Sequence, residues 1–278
     1  MQQFKPIRVP DIVGRKGGRK IVMLTAYDFT MATLLDSHAD ILLVGDTLGC
    51  VVQGHDTTLK VTLEQMIYHA GMVSRGARQA LVVVDLPFGT YQQGPPQALQ
   101  AALRLLKESD VSAVKLEGGG RVCDSVRAIS AAGIPVVAHL GLTPQSFHVL
   151  GGNKVQARES QAAAQLLRDA RALEEAGAFA LVLEAIPGEL AGEVSRCIGI
   201  PTIGIGAGPD CDGQVLVIND MVGFNAGPAP MRFNKEFGAV REVIDQAATA
   251  FAREVRAGTF PARENTYEAA IPSGVAAG

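Results

Sequence analysis

Four stretches of the chain run apolar and then stop on an acid. Ile41-Leu-Leu-Val-Gly45 leads to Asp46 and Thr47, Leu81-Val-Val-Val84 to Asp85, Ala113-Val-Lys-Leu116 to Glu117, and Leu181-Val-Leu183 to Glu184. An unbroken apolar run of this length reads as a strand buried on both faces, as in a parallel sheet. A carboxylate at its C-terminal lip looks out of the sheet, where α/β proteins carry their chemistry. A single acid in such a place is as readily the N-cap of the next helix or a partner for loop amides. Four of them at four strand ends point to a shared centre.

Lys115 and Glu117 are two residues apart and so share a face of their strand. Asp46, Asp85 and Glu117, from three strands, are then expected to converge on one cation. Oxygen-only ligands suit Mg²⁺ or Mn²⁺ better than zinc, and a divalent ion relieves the repulsion among three anions. Such a site is a Lewis acid for a substrate with two adjacent oxygens, such as a 2-oxo acid, and stabilises the enolate formed when a proton leaves the neighbouring carbon. Glu184, outside the metal set, is the candidate base; an apolar pocket and nearby anions would raise its pKa for that task. Lys115 offers fixed positive charge to the substrate carboxylate, and Thr47 a hydroxyl hydrogen bond. His139 also ends an apolar run and either bonds substrate or orients a carboxylate.

The elements that must hold these residues follow a rhythm from Lys20 onward. Strands are expected at Ile21–Ala26, Ile41–Gly45, Leu81–Asp85, Ala113–Glu117, Ile134–His139, Phe179–Glu184, Pro201–Ile205 and Val215–Ile218. Helical spacing of apolar residues marks Thr62–Arg78, Pro95–Ser109, Val122–Ala132, Gln156–Ala176 and Gly188–Arg196. Eight strands with intervening helices favour a (β/α)₈ TIM barrel, with an open doubly wound sheet as the alternative. The stretch Gly204-Ile-Gly-Ala-Gly208 is not a dinucleotide fingerprint, because Pro209–Gly213 turns straight into another strand where that motif needs a helix. Residues 1–19 read as a leading segment outside the main unit. Asn234–Ala257 reads as a closing amphipathic helix, residues 1–262 as one barrel domain, and residues 263–278 as a loose tail.

Bulk properties exclude several classes. The 278 residues are 47% hydrophobic and 19% charged, with a net charge of −3. That describes a compact chain without the positive field that nucleic acid requires. Met1-Gln-Gln-Phe-Lys-Pro6 lacks a signal-peptide apolar stretch, and no run approaches the ~18 apolar residues of a membrane span. The cysteines (Cys50, Cys123, Cys197, Cys211) have no metal-type spacing, which fits a reduced cytoplasmic enzyme.

The same residues resemble those of the ketopantoate hydroxymethyltransferase family. The matching segments are Met23-Leu-Thr-Ala-Tyr-Asp28, Val44-Gly-Asp-Thr-Leu-Gly49, Asp85-Leu-Pro-Phe-Gly89 and Val114-Lys-Leu-Glu-Gly118. Ala138-His-Leu-Gly-Leu-Thr-Pro-Gln145, Leu183-Glu-Ala-Ile-Pro187 and Ile203-Gly-Ile-Gly-Ala-Gly208 follow in order. The resemblance implies a barrel of the phosphoenolpyruvate/pyruvate superfamily type, assembled as a homodecamer. It implies transfer of a hydroxymethyl group from 5,10-methylenetetrahydrofolate to 3-methyl-2-oxobutanoate, giving 2-dehydropantoate in pantothenate biosynthesis. By position, Asp46, Asp85 and Glu117 match the family's Mg²⁺ residues, one ion per subunit. Asp46, Thr47, Asp85 and Lys115 match its oxo-acid contacts, and Glu184 its proton acceptor. Thr47 stands where many members carry serine, so the hydroxyl is kept. Two other readings share the residues: a lyase or mutase acting on a small oxo acid, with Cys123 as an acid on a loop, and a non-catalytic barrel.

Overall fold

The computed structural model describes residues 5–225 and 231–267. Eight parallel strands pair in sequence order, and the eighth closes onto the first: β1 Ile21–Thr25, β2 Ile41–Val44, β3 Leu81–Asp85, β4 Ala113–Glu117, β5 Val136–Gly141, β6 Ala178–Glu184, β7 Thr202–Ile205 and β8 Gly213–Leu216. The open sheet is thereby excluded, since Ile21 to Leu24 pair with Gly213 to Leu216. The helices are α1 Val9–Val13, α2 Phe29–Leu35, α3 Leu48–Val51, α4 Leu63–Gly76, α5 Pro95–Ser109, α6 Cys123–Ala131, α7 Phe147–Leu150, α8 Ser160–Glu175, α9 Gly188–Cys197, α10 Ile218–Met221 and α11 Val240–Ala257.

Period-two alternation divides each strand between two cores. Ile41, Leu81, Val83, Ala113, Val137 and Val182 pack inside the barrel, while Leu42, Val82, Val84, Val114 and Leu183 pack outward against the helices. Helix boundaries have local causes. Thr62 caps α4 through a reciprocal box with Gln65, and Pro95 opens α5 at a position where a missing N–H costs nothing.

Three expectations need correction. The leading segment is not outside the main unit: Ile12 of α1 is fully buried, and Ile7 and Val9 pack with it against the inner core at the barrel's base. Asp212 ties this plug down, accepting from Lys16 Nζ at 2.9 Å and Gly17 N at 2.8 Å. The eighth strand lies two residues earlier than expected, because Val217 and Ile218 turn into α10, where Ile218 N donates to Thr25 Oγ1 at 2.9 Å. The helix expected from Asn234 begins only at Val240 and does not close the barrel; none of its residues is buried. No helix separates β7 from β8; on the outer side of the β8–β1 pair Val22 is 42% exposed and Gln214 is exposed, whereas Leu24 is buried in the outer core. Of the expected tail, Arg263–Asn265 forms one 3₁₀ turn, and residues 268–278 lie outside the described residues.

Truncating the plug should therefore weaken the fold without touching the opposite rim. Ile12→Ala is expected to cost about 2–4 kcal/mol, read as a lowered urea midpoint at unchanged m-value.

Candidate active site

The inward columns of β1, β3, β4, β5 and β6 are apolar low in the barrel and polar at their C-terminal ends. Ile21 and Met23 are followed by Thr25, Leu81 and Val83 by Asp85, and Ala113 by Lys115 and Glu117. Val137 is followed by His139, and Val182 by Glu184. The parallel register then sets neighbours level. Asp85 pairs with Lys115, and Glu117 pairs with His139. Glu184 pairs with Gly141, whose φ of +94° and close approach leave no room for a side chain: a Cβ there would stand 2.2 Å from Glu184 O.

Asp46, Thr47, Asp85, Lys115, Glu117, His139 and Glu184 line one cavity of about 70 Å³. All seven residues proposed from the sequence are thus brought together at one rim. A larger cleft of about 530 Å³ beside α8 shares no residue with it, so size alone does not locate the chemistry. Cys123 is buried at the start of α6 and does not line the chamber. Among His38, His55, His69 and His148, none lines it either.

The charged groups hold one another. Lys115 Nζ donates to Asp85 Oδ1 at 2.8 Å, both side chains buried, and Asp46 N donates to Asp85 Oδ2 at 3.1 Å. His139 stands between two carboxylates, its Nδ1 3.4 Å from Glu117 Oε1 and its Nε2 3.2 Å from Glu184 Oε2. Neither ring nitrogen makes a well-aligned hydrogen bond, so these are charge contacts. Glu184 therefore does not sit in the apolar surroundings expected for it; an imidazole faces it, and its side chain is 17% exposed.

Two residues that carried no role in the sequence complete the set. Gln145, in the turn Pro144–Ser146 after β5, donates from Nε2 to Asp46 Oδ2 at 2.8 Å and to Leu86 O at 2.9 Å. Its backbone N donates to Glu117 Oε2 at 3.1 Å. Tyr91 OH donates to Gln145 Oε1 and so fixes the amide's orientation. The signals for Gln145 were its place just after a proline beyond a strand end and at the close of the family-like segment Ala138–Gln145, neither of which gave it a role.

Burial sets the charge states, modified by neighbours. Burial, then Asp85 and Glu117, drive the Asp46 carboxyl well above the usual carboxylate range. Burial also works against Glu117, but His139, Lys115 and the Gln145 N–H outweigh it and bring that carboxyl down. Lys115 is opposed by burial and pushed up by Asp85, Glu117 and Asp46. For His139, burial and Lys115 favour the neutral ring, yet the two flanking glutamates prevail and push it up to about 9.

Among the described residues, no three His, Cys, Asp or Glu side chains form a ready-made metal cage. The oxygens of Asp46, Asp85 and Glu117 are engaged by Gln145, Lys115 and His139 instead. The donor set nonetheless fits a hard divalent cation. It is oxygen-only, and Asp46 is destabilised as an anion by its two acidic neighbours.

Comparisons with known proteins extend over most of the chain. The profile described as ketopantoate hydroxymethyltransferase matches residues 6–263. A relative named 3-methyl-2-oxobutanoate hydroxymethyltransferase from Parvibaculum lavamentivorans is 50% identical over 265 residues, covering 95% of this chain and 96% of its own. One of the same name from Mycolicibacterium vanbaalenii is 54% identical over 251 residues, covering 90% and 89%. Among solved structures, phosphonopyruvate hydrolase in complex with oxalate and Mg²⁺ superposes with TM-score 0.59 at 14% identity, covering 94% of this chain and 92% of its own. A 2,3-dimethylmalate lyase of the PEP mutase/isocitrate lyase superfamily gives 0.56 at 19%, covering 93% and 91%. At such identities these two speak for the barrel alone, whereas the profile and the near-full-length relatives settle the lineage: the chain belongs to the ketopantoate hydroxymethyltransferase family.

Proposed function

We propose that this protein transfers a hydroxymethyl group from 5,10-methylenetetrahydrofolate to 3-methyl-2-oxobutanoate, giving 2-dehydropantoate for pantothenate biosynthesis in the cytoplasm. The observation that carries this reading is the burial of Asp46, Asp85, Lys115, Glu117 and His139 around one small chamber that Glu184 also lines, in a chain of this family. Residues 1–262 act as one barrel unit in this reading. The lyase and mutase readings have no support beyond shared fold, and Cys123 is out of reach of the chamber.

Asp46, Asp85 and Glu117 would hold Mg²⁺, one per subunit. Bound there, the ion supplies a Lewis acid for the oxygens of the oxo acid. Lys115 presents a fixed positive charge to the substrate carboxylate, and the Thr47 hydroxyl donates to the same group. Glu184 takes the proton from C3, the carbon next to the carbonyl. C3 then bonds to the one-carbon unit released from the folate nitrogens, and water supplies the hydroxyl oxygen. His139, between Glu117 and Glu184, orients both carboxylates. Gln145 does the same for Asp46 and Glu117.

Assembly into the homodecamer is part of the proposal. Its support is α11, where Val240, Val243, Ile244, Phe251 and Val255 form one apolar stripe at helical spacing. Within one copy the stripe is uncovered, Val243 being 63% and Phe251 57% exposed.

The first test is transfer assayed with folate and Mg²⁺ each supplied and withheld. With Mg²⁺ and 3-methyl-2-oxobutanoate alone, the C3 proton should wash out into D₂O. Glu184→Gln should slow that exchange at least 100-fold; exchange at the wild-type rate in this variant would end the assignment of the base. His139 gives a pH test. Its pKa of about 9 lies above the ordinary 6.5, so its charging favours the fold. That contribution is whole below pH 6.5 and fades as pH rises through 9, amounting to about 3 kcal/mol at most. Urea denaturation of chelator-treated protein should show this loss between pH 6 and 9.5, and His139→Gln should show a flatter profile. For α11, Val243→Glu with Phe251→Glu should lower the mass measured by light scattering; an unchanged mass places the contacts elsewhere.

A further inference from the structure

Next to the chamber lies a second cavity of about 190 Å³, and the two share Thr47, Pro144, Glu184, Ile205 and Val217 as common wall. The inner space of about 70 Å³ suits a small oxo acid and has no room for a bicyclic ring. A carbon donor must reach the substrate beside Glu184, and the outer cavity is the one that opens onto Glu184 as well. This step rests on the transfer reading above; the residues of the outer cavity supply the rest.

Its walls combine apolar faces with hydrogen-bond acceptors. The rings of Phe147 and Phe233 line it. Phe233 is seated so closely on Gly206 that a Cβ there would stand 2.4 Å from the ring, at a φ of +61°. Glycine at that position is what allows the ring to lie over the rim. Asp220, on α10, also lines the cavity and is half-buried; Asn225 Nδ2 donates to its Oδ1, and the Asn234 amide lies against it. Asn234 Oδ1 is buried with no hydrogen-bond partner. A buried acceptor left unpaired costs about 1–3 kcal/mol, so the wall formed by Asp220 and Asn234 calls for a ligand edge rich in N–H donors.

We propose that the outer cavity is the seat of the donor's reduced pterin ring, with Asp220 and Asn234 Oδ1 accepting from its ring N–H and 2-amino group and Phe147 and Phe233 packing its faces. The 2-amino-4-oxopyrimidine edge offers the adjacent donors that this wall lacks. Its bicyclic body is flat and apolar enough to lie between aromatic side chains. The common wall then brings the one-carbon unit to the side of the chamber where Glu184 and Thr47 stand.

The test is calorimetry on the full chain with tetrahydrofolate and, separately, with 3-methyl-2-oxobutanoate plus Mg²⁺. Asp220→Asn and Asn234→Leu should each weaken tetrahydrofolate binding at least tenfold and leave oxo-acid binding within about twofold. 6-Methyltetrahydropterin, which lacks the benzoylglutamate tail, should show the same loss. The proposal is overturned if wild type does not bind tetrahydrofolate or if both variants bind it as wild type does. It is also overturned if oxo-acid affinity falls in parallel, which would make the two residues structural. Wild type that exchanges the C3 proton but does not bind tetrahydrofolate removes this assignment and leaves the enolisation standing. Selective loss of tetrahydrofolate in the variants, with no exchange in wild type, supports the pterin seat and removes the transfer reading instead.

Discussion

The constraint on which the rest of this structure depends is the burial of unequal charge. Asp46, Asp85 and Glu117 are withdrawn from water at the barrel's mouth with Lys115 and His139. An isolated buried carboxylate is too costly to persist; it must be paired or protonated. Asp85 has Lys115, and Glu117 has His139. Asp46 accepts from the Gln145 amide and, among the described residues, has no ion-pair partner of its own; its carboxyl is the one whose pKa burial and its acidic neighbours drive upward. The surplus negative charge is therefore localised on one residue rather than spread over the set. Such a group favours whatever brings positive charge into the chamber. A divalent ion there would supply that positive charge.

Holding such a cluster requires a frame that does not relax around it. The frame is the inner barrel, where Ile41, Val83, Ala113, Val137 and Val182 fill the space beneath the site and the plug carrying Ile12 shuts its base. Close-packed interiors transmit displacement rather than absorb it, so the level of each charged side chain is fixed by strand register. Register is why Lys115 meets Asp85 and not Asp46, and why His139 meets Glu117. Glu184 is placed by a further device, the glycine at position 141, without which the end of β6 could not come so close to β5.

Much of this was legible in the residues. An acid ending an unbroken apolar run marks both a strand and its exit, and all four such acids belong to one rim. Lys115 and Glu117 were readable as a pair because strand alternation leaves no other option. Register itself was not readable, since nothing in a linear chain says which rung of one strand meets which rung of the next. Gln145 and Tyr91 sit on turns, where periodicity carries no information about direction. The plug was missed because its few apolar residues lie among polar and basic ones, and their burial is decided by the far end of the chain, at Asp212. For α11 the apolar stripe was plain; what covers it is not written in its spacing.

The two adjoining cavities also constrain the order of events. The chamber and the outer cavity share a wall that carries Thr47 and Glu184. A small acid entering from that side must pass through the space that a larger donor would fill. A ligand in the outer cavity would therefore stand against the inner one along that wall. A ligand so placed would exclude water from a deprotonated carbon, which a solvent proton would otherwise quench before it met its partner. The rim that buries the acids thus also carries the wall between the two cavities, so the demands on electrostatics and on access meet in one place.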